Sequence, residues 1–341
     1  MTPTPPTIKG FRLSPQQHRL WSWQQSEYQL PSTAQVALRI RGPLQVEQLS
    51  VALEQVVQRH EILRTRFPCL PGMQVPLQVI DEVQVDWLPE QDLQTLDAST
   101  QAARLEASWR SLTSSLNSSE GPVLRSQLLR LSEQQWVLHL GLPALSADEY
   151  TLRQLVRELR DAYAASFTAT EDAAEIPQYA DIAEWQHELL TSDETAEGRA
   201  YWQQQSFPDL VSQRLASEAV LPELTAFQPQ RVVMPLAADA VAELKALRDR
   251  EQISLETIFL TLWSLLLWRQ LGHSPVVGLA SHGRKYAELE HALGPLTRYL
   301  PAVITFTPEQ SFITALHAVD QQVQALQQWQ DYFDSSLLQN A

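Results

Sequence analysis

What most constrains this chain is a change of hydrophobic period, repeated along its length. Gln35-Val36-Ala37-Leu38-Arg39-Ile40-Arg41 alternates apolar and polar residues over most of its length before Gly42-Pro43, the pattern of a half-buried strand. From Val46 to His60 the apolar residues Leu49, Leu53, Val56 and Val57 recur at helical spacing. Residues 78–83, 123–129 and 136–142 read as strands, with helices expected over 97–116 and 151–164. Strands and helices interleaved in this order pack as layers of an α/β fold. Ser14 is expected to cap a first helix carrying Gln17, Leu20 and Trp21.

Further along, residues 179–205 read as one helix with Trp185 and Trp202. The proline-bearing stretch 207–230 reads as a connection. A second series follows: a strand over 231–234, helices over 237–250 and 255–271, strands over 276–279 and 299–306, and a helix over 311–330. The predicted organisation is therefore a disordered lead-in at 1–13, a first lobe at 14–175, a bridging helix and linker at 176–230, and a second lobe at 231–341.

Charge narrows the function classes. The 341 residues carry a formal charge of −15 with no run of five basic residues, which argues against nucleic acid and anionic membranes as partners. The one cysteine, Cys69, allows no internal disulfide and suits a reducing compartment. The apolar run from Ile258 to Trp268 is too short to span a bilayer, and Met1 to Thr7 lacks the regions of a signal peptide. A cytoplasmic protein is expected. His187 and Glu188 have no matching ligand pair, and neither a zinc motif, a Gly-x-Ser-x-Gly elbow nor a phosphate-binding loop is present.

Five short motifs then appear in a telling order. They are Ser14-Pro15-Gln16-Gln17-His18-Arg19-Leu20-Trp21, Arg59-His60-Glu61-Ile62-Leu63-Arg64-Thr65-Arg66-Phe67, Tyr179-Ala180-Asp181-Ile182-Ala183-Glu184-Trp185, Gly294-Pro295-Leu296-Thr297-Arg298-Tyr299-Leu300-Pro301 and Gln330-Asp331-Tyr332-Phe333-Asp334. Together they resemble the condensation domains of nonribosomal peptide synthetases. The fourth departs from the family pattern Gly-x-Phe-Val-Asn-Thr-Leu-Pro, with Thr297 and Arg298 at the Val and Asn positions. The resemblance implies two chloramphenicol-acetyltransferase-like lobes in a V around a tunnel. Family members continue past the fifth motif into a bridging loop, a latch and more strands. The second lobe is accordingly expected to be truncated, either as a piece of a longer chain or by borrowing strands from a partner.

Between the second and third motifs the family reads His-His-x-x-x-Asp-Gly, whereas this chain has Pro143-Ala144-Leu145-Ser146-Ala147-Asp148-Glu149. In the family the second histidine orients the acceptor amine or takes its proton, work that needs a titratable group within hydrogen-bond reach. Ala144 has none. His139 lies five residues earlier on a strand, roughly 16 Å away and on the opposite face. Glu149 has two readings: a relocated base, or the last residue of a Ser146-x-x-Glu149 capping box opening the next helix. The resemblance implies that Asp148 is a structural partner of Arg64, with Arg59 second, although its place near a helix start would by itself favour a carboxylate.

Two functions follow. One is a non-catalytic scaffold that binds an acyl- or peptidyl-carrier protein, adjacent synthetase domains, or a tailoring enzyme recruited in trans, as family members with damaged His-His motifs do for oxygenases or hydroxylases. The other is an acyltransferase that joins carrier-bound thioesters into an amide or ester without the histidine, relying on proximity. No cofactor is expected to bind directly; the phosphopantetheine arm of a carrier would be the group presented. Arg153, Arg157 and Arg160 share one helix face and form either a carrier-docking stripe or a solvated face interleaved with Glu158 and Asp161. Trp21, Trp23 and Trp185 would make a recognition surface only if exposed.

Overall fold

Ser14 turns the incoming chain into the first helix, α1 (Pro15–Gln24). Its hydroxyl accepts the Gln17 N–H while its own N–H donates to Gln17 Oε1, a reciprocal box with proline at the first helical position. The computed structural model describes residues 9–25, 32–114, 116–165, 176–192, 195–207, 215 and 232–334. Two units emerge: Met1–His187 with Arg284–Thr297, and Glu188–Gly283 with Arg298–Ala341.

The first unit is built on β1 (Thr33–Arg41), α2 (Val46–Arg59), the short strands β2 (Thr65–Arg66), β3 (Val79–Ile80), β4 (Asp86–Trp87) and β5 (Gln91–Asp92), then α3 (Ala98–Ser114), β6 (Arg125–Ser132), β7 (Gln135–Pro143), α4 (Glu149–Ala165) and α5 (Tyr179–Thr191). Its sheet runs β1-β7-β6-β4, with β5 also on β6. β7 is central and antiparallel to both neighbours, placing Leu138 opposite Leu38 and Leu128. Because side chains alternate across a strand, β7 serves two layers. Leu138, Leu140 and Leu142 join a core with Leu53 and Val56 of α2 and Leu155 of α4. His139 faces the other way, onto Ser108 and Trp109 of α3.

The second unit contains α6 (Ala196–Gln204), α7 (Ala238–Glu251), α8 (Leu255–Leu271), β8 (Val276–Ser281), β9 (Arg298–Val303) and α9 (Phe312–Trp329). β8 and β9 form an antiparallel pair, and Leu300, Ala302 and Ile304 pack on Ala315, Val319 and Trp202. The faces of α8 are mixed in polarity, although Ile258 is buried and Leu260, Leu265 and Trp268 pack on the core. Thr257, Thr261 and Ser264 are buried, while Phe259, Leu262, Trp263 and Leu266 are exposed.

Several expectations change. The lead-in ends earlier than residue 13, because Phe11 bridges to Gln78 and Leu13 is buried in the core; residues 1–8 lie outside the described residues. The single helix expected over 179–205 is two, α5 and α6. Thr195 explains the break: its hydroxyl lies 2.6 Å from Leu189 O and 2.8 Å from Ser192 O, at the carbonyls that a helix end leaves open. The two units divide after His187, within α5, rather than at 175. Of the strand expected over 231–234, the described residues 232–234 pair with no strand and are exposed. The expected linker, 207–230, lies outside the described residues apart from Phe207 and Leu215.

Gly294 shows how tightly the first unit closes on the segment it takes from the second half of the chain. Its φ is +130°, and an added Cβ would lie 2.0 Å from Tyr179 Cδ2. The Tyr179 hydroxyl donates to Pro295 O (3.0 Å), so the Ser14 hydroxyl, 2.7 Å away, is the donor to it. Tyr179 therefore cannot swing aside without losing both bonds. Gly294→Ala is expected to destabilise the first unit by about 3 kcal/mol or more, from backbone strain and overpacking combined, read as a lowered denaturant midpoint.

Candidate functional site

The site is the turn between β7 and α4. Pro143 ends β7, buried and in register with Thr33. The Ala144 N–H donates to Ser32 O at 2.8 Å, and the Ser146 N–H to Pro143 O at 2.9 Å, so the turn is closed by its own backbone. Leu145 is buried, and its carbonyl accepts from Gln17 Nε2, which ties the turn to the first motif.

Asp148, not Ser146, caps α4. Its Oδ1 accepts the Thr151 N–H at 2.7 Å, and its carbonyl receives the Leu152 N–H. An aspartate two residues closer to the helix does the work that the capping-box reading gave to Ser146 and Glu149. Glu149 instead points outward and pairs with Arg153 at 2.5 Å, four residues on.

The expected partner of Asp148 is also corrected. Arg64 donates to Asp81 O and pairs with Glu61, and Arg59 pairs with Glu158. The cation at Asp148 is Arg284, with Nη1 at 3.5 Å from Oδ2. Arg284 is buried, lies over the Tyr150 ring at 4.2 Å, and donates to Ala292 O and Gly294 O. Thr297 adds two bonds to Asp148 Oδ2, from its N–H (2.9 Å) and its hydroxyl (2.7 Å). Sequence reasoning missed Thr151 and Thr297. The signal for Thr297 was present, since a hydroxyl stands there in place of the motif valine.

These surroundings decide what Asp148 can do. Burial alone would raise its carboxyl, but the Arg284 charge and the bonds from Thr151 and Thr297 outweigh burial and hold it below the usual range. A carboxylate that stays ionised, with both oxygens engaged, is a poor proton acceptor near neutrality. His139 is no substitute, because it is buried with Nδ1 2.8 Å from Ser108 Oγ, and desolvation lowers its pKa. Pro143 and Ala144 carry no titratable group.

The remaining candidates are structural or exposed. Arg153, Arg157 and Arg160 do share the exposed face of α4, but Arg153 is paired with Glu149 and Arg160 with Asp161. Glu158, on the inner side, meets the buried His60 at 2.5 Å. His187 Nε2 is 2.8 Å from Leu13 O. The three tryptophans do not form one surface: Trp21 and Trp185 pack against the core, and Trp23 is partly exposed under the Arg19 guanidinium. No group of three or more His, Cys, Asp or Glu able to hold a metal occurs among the described residues, and none of their helices is long and apolar enough to cross a membrane.

The sign of the Asp148 shift gives an acid-stability prediction. A depressed folded-state pKa contributes stability above the unfolded value, about 3.9, that is lost as pH falls through the folded value. Asp148→Asn is therefore expected to cost most near neutral pH, with the gap from the unmodified protein narrowing below about pH 4. Denaturant midpoints measured between neutral pH and pH 3 check this.

Comparison with known proteins agrees with the motif order. The family model for the condensation domain matches residues 9–340. Chondramide synthase cmdD of Chondromyces crocatus is 30% identical over 292 residues, covering 83% of this chain and 7% of that protein. Phosphinothricin tripeptide synthetase PhsC of Streptomyces viridochromogenes is 31% identical over 319 residues, covering 91% of this chain and 29% of its own length. The chain thus spans under a third of the length of these two relatives. Among solved structures, the condensation domain of the monacolin K polyketide synthase MokA matches with a TM-score of 0.81 at 21% identity, over 98% of this chain and 76% of that one. The X-domain from teicoplanin biosynthesis matches with a TM-score of 0.72 at 25% identity, over 96% and 72%; it is also solved in complex with OxyB, where the TM-score is 0.69. With the motifs, the fold and the family model in agreement over nearly its whole length, this chain belongs to the condensation-domain family.

Proposed function

We propose that this chain is a condensation-type domain of a nonribosomal peptide synthetase that forms no bond itself and serves as a platform for other proteins. The family is one of amide-forming acyltransferases, so the reading turns on what stands at the altered motif. One observation carries it: the turn that should present the base presents Pro143 and Ala144, and His139, Asp148 and Glu149 beside it are engaged by other residues. Asp148 is held by Arg284 and Thr297, Glu149 by Arg153, and His139 by Ser108. General-base catalysis is worth typically 10²–10⁴-fold, and this centre has no group to supply it.

The platform reading has support from the comparisons. An X-domain of the same fold has been solved with OxyB bound, so a condensation-type fold can carry a second protein. The relatives are synthetases more than three times as long as this chain's match to them, which makes adjacent domains and a carrier protein the natural partners. On α4, Arg157 would supply the charge for a carrier, since Arg153 and Arg160 are neutralised by Glu149 and Asp161. The phosphopantetheine arm belongs to that carrier. A tailoring enzyme recruited in trans is the third class of partner.

Single-turnover condensation tests the reading. Donor and acceptor aminoacyl-carrier proteins are presented to the full protein, alongside Ala144→His. No dipeptidyl product above the enzyme-free rate is expected from the unmodified protein. Product formed within a few minutes would overturn the platform reading in favour of catalysis by proximity, and Glu149→Ala would then test whether that carboxylate had taken over as base.

A further inference from the structure

β1 ends the sheet of the first unit, whose order is β1-β7-β6-β4, and among the described residues no strand pairs with its other side. The ends of the ladder show which backbone groups face that side. The Ala144 N–H donates to Ser32 O and the Gly42 N–H to Gln134 O, so at both ends the bonded pairs with β7 fall on even-numbered residues before and after β1. Bonded and non-bonded pairs alternate along an antiparallel ladder, and the register from Thr33 to Arg41 has no shift. Thr33, Ala37, Arg39 and Arg41 therefore turn their N–H and C=O groups away from β7.

An open edge is a template for another strand, and proteins blunt such edges with a proline, a bulge or a charge turned inward. The nine residues of β1 include no proline, and their ladder has no bulge. The residues turned inward, Ala34, Val36, Leu38 and Ile40, are apolar and pack on the core. The charges of β1 are Arg39 and Arg41, both exposed and both at its C-terminal end.

That placement selects the partner. A second β1 laid antiparallel over all nine residues puts Ala37 opposite Ala37 on a twofold axis, Arg39 opposite Gln35, and Arg41 opposite Thr33. No two arginines face each other, whereas a parallel strand in register would set each arginine on its own copy. Odd residues lie opposite odd ones, so the outward N–H and C=O groups of Ala37 meet those of the second Ala37. On the inner face Val36 comes opposite Leu38 and Ala34 opposite Ile40, which continues the apolar layer across the seam.

We propose that β1 is a self-association edge: two copies of this chain pair β1 to β1, antiparallel about Ala37, and join their five-stranded sheets into one. The same surface serves both copies, as a twofold contact requires. The seam uses no side chain of the altered turn, so it stands or falls independently of whether the domain forms bonds.

Sedimentation equilibrium of the whole chain over the micromolar range tests it, at physiological ionic strength to screen the charge of −15 on each copy. The unmodified protein is expected to approach twice its 38.6 kDa as concentration rises. Ala37→Pro removes an N–H that β7 does not use, and in the pair it deletes both bonds at the axis. Its dissociation constant is expected to rise about ten-fold or more. Ala37→Lys leaves the backbone intact at an exposed position and brings two ammonium groups together at the axis, for an expected rise of about two- to five-fold. A monomer at every concentration overturns the proposal. So does a dimer that neither substitution weakens, which would place association on another surface, such as the exposed residues of α8. Should Ala37→Pro fail to fold, Ala37→Lys decides alone, and an unchanged dissociation constant there overturns it.

Discussion

A buried carboxylate cannot remain ionised without compensation, and much of the first unit's local order supplies that compensation to Asp148. Moving a charge out of water costs several kcal/mol, repaid only where an opposite charge and hydrogen bonds replace the lost solvent. Here the repayment comes from three directions. Thr151 donates from the first turn of α4, and Arg284 and Thr297 from the two ends of the segment Arg284–Thr297. Arg284 must in turn satisfy its own donors, which it does on Ala292 O and Gly294 O. The conformation at Gly294, open only to a residue without a side chain, is part of the same arrangement.

The same bonds explain how a family frame persists around an altered centre. Pro143 and Ala144 sit in a turn held by its own backbone and by Ser32, so the loss of two imidazoles removes no contact on which the turn depends. The aspartate stands differently. Without it, α4 would lose its cap and Arg284 would lose its counter-charge. Chemistry and architecture, which share the family motif, are thus separable at the level of single side chains.

Much of this was legible in the sequence, but not evenly. Periodicity gave the layers, because β7 and α4 bury residues at strand and helix spacing in the unit's main core. The Ser14 cap was readable because both of its partners lie within three residues. The partner of Asp148 was not, since Arg284 is 136 residues away and no local rule connects them. The Ser146 capping box failed for a related reason: a pattern of residue types cannot say which of two neighbouring oxygens the turn will aim at the helix. The break between α5 and α6 depended on where one threonine hydroxyl pointed. Residues 232–234 have strand composition but pair with no strand among the described residues, and composition alone does not supply a ladder partner.

The apolar residues that α8 leaves exposed have a consequence for how the chain melts. Phe259, Leu262, Trp263 and Leu266 face outward, so a large part of the apolar surface of α8 remains in water. The first unit buries the apolar residues of β7, α2 and α4 in one continuous core. Two units so unequally filled are not expected to share one transition. On heating, the helices around α8 are expected to loosen while the β7 sheet is still intact, and a single melting temperature would then average two events into a number that describes neither.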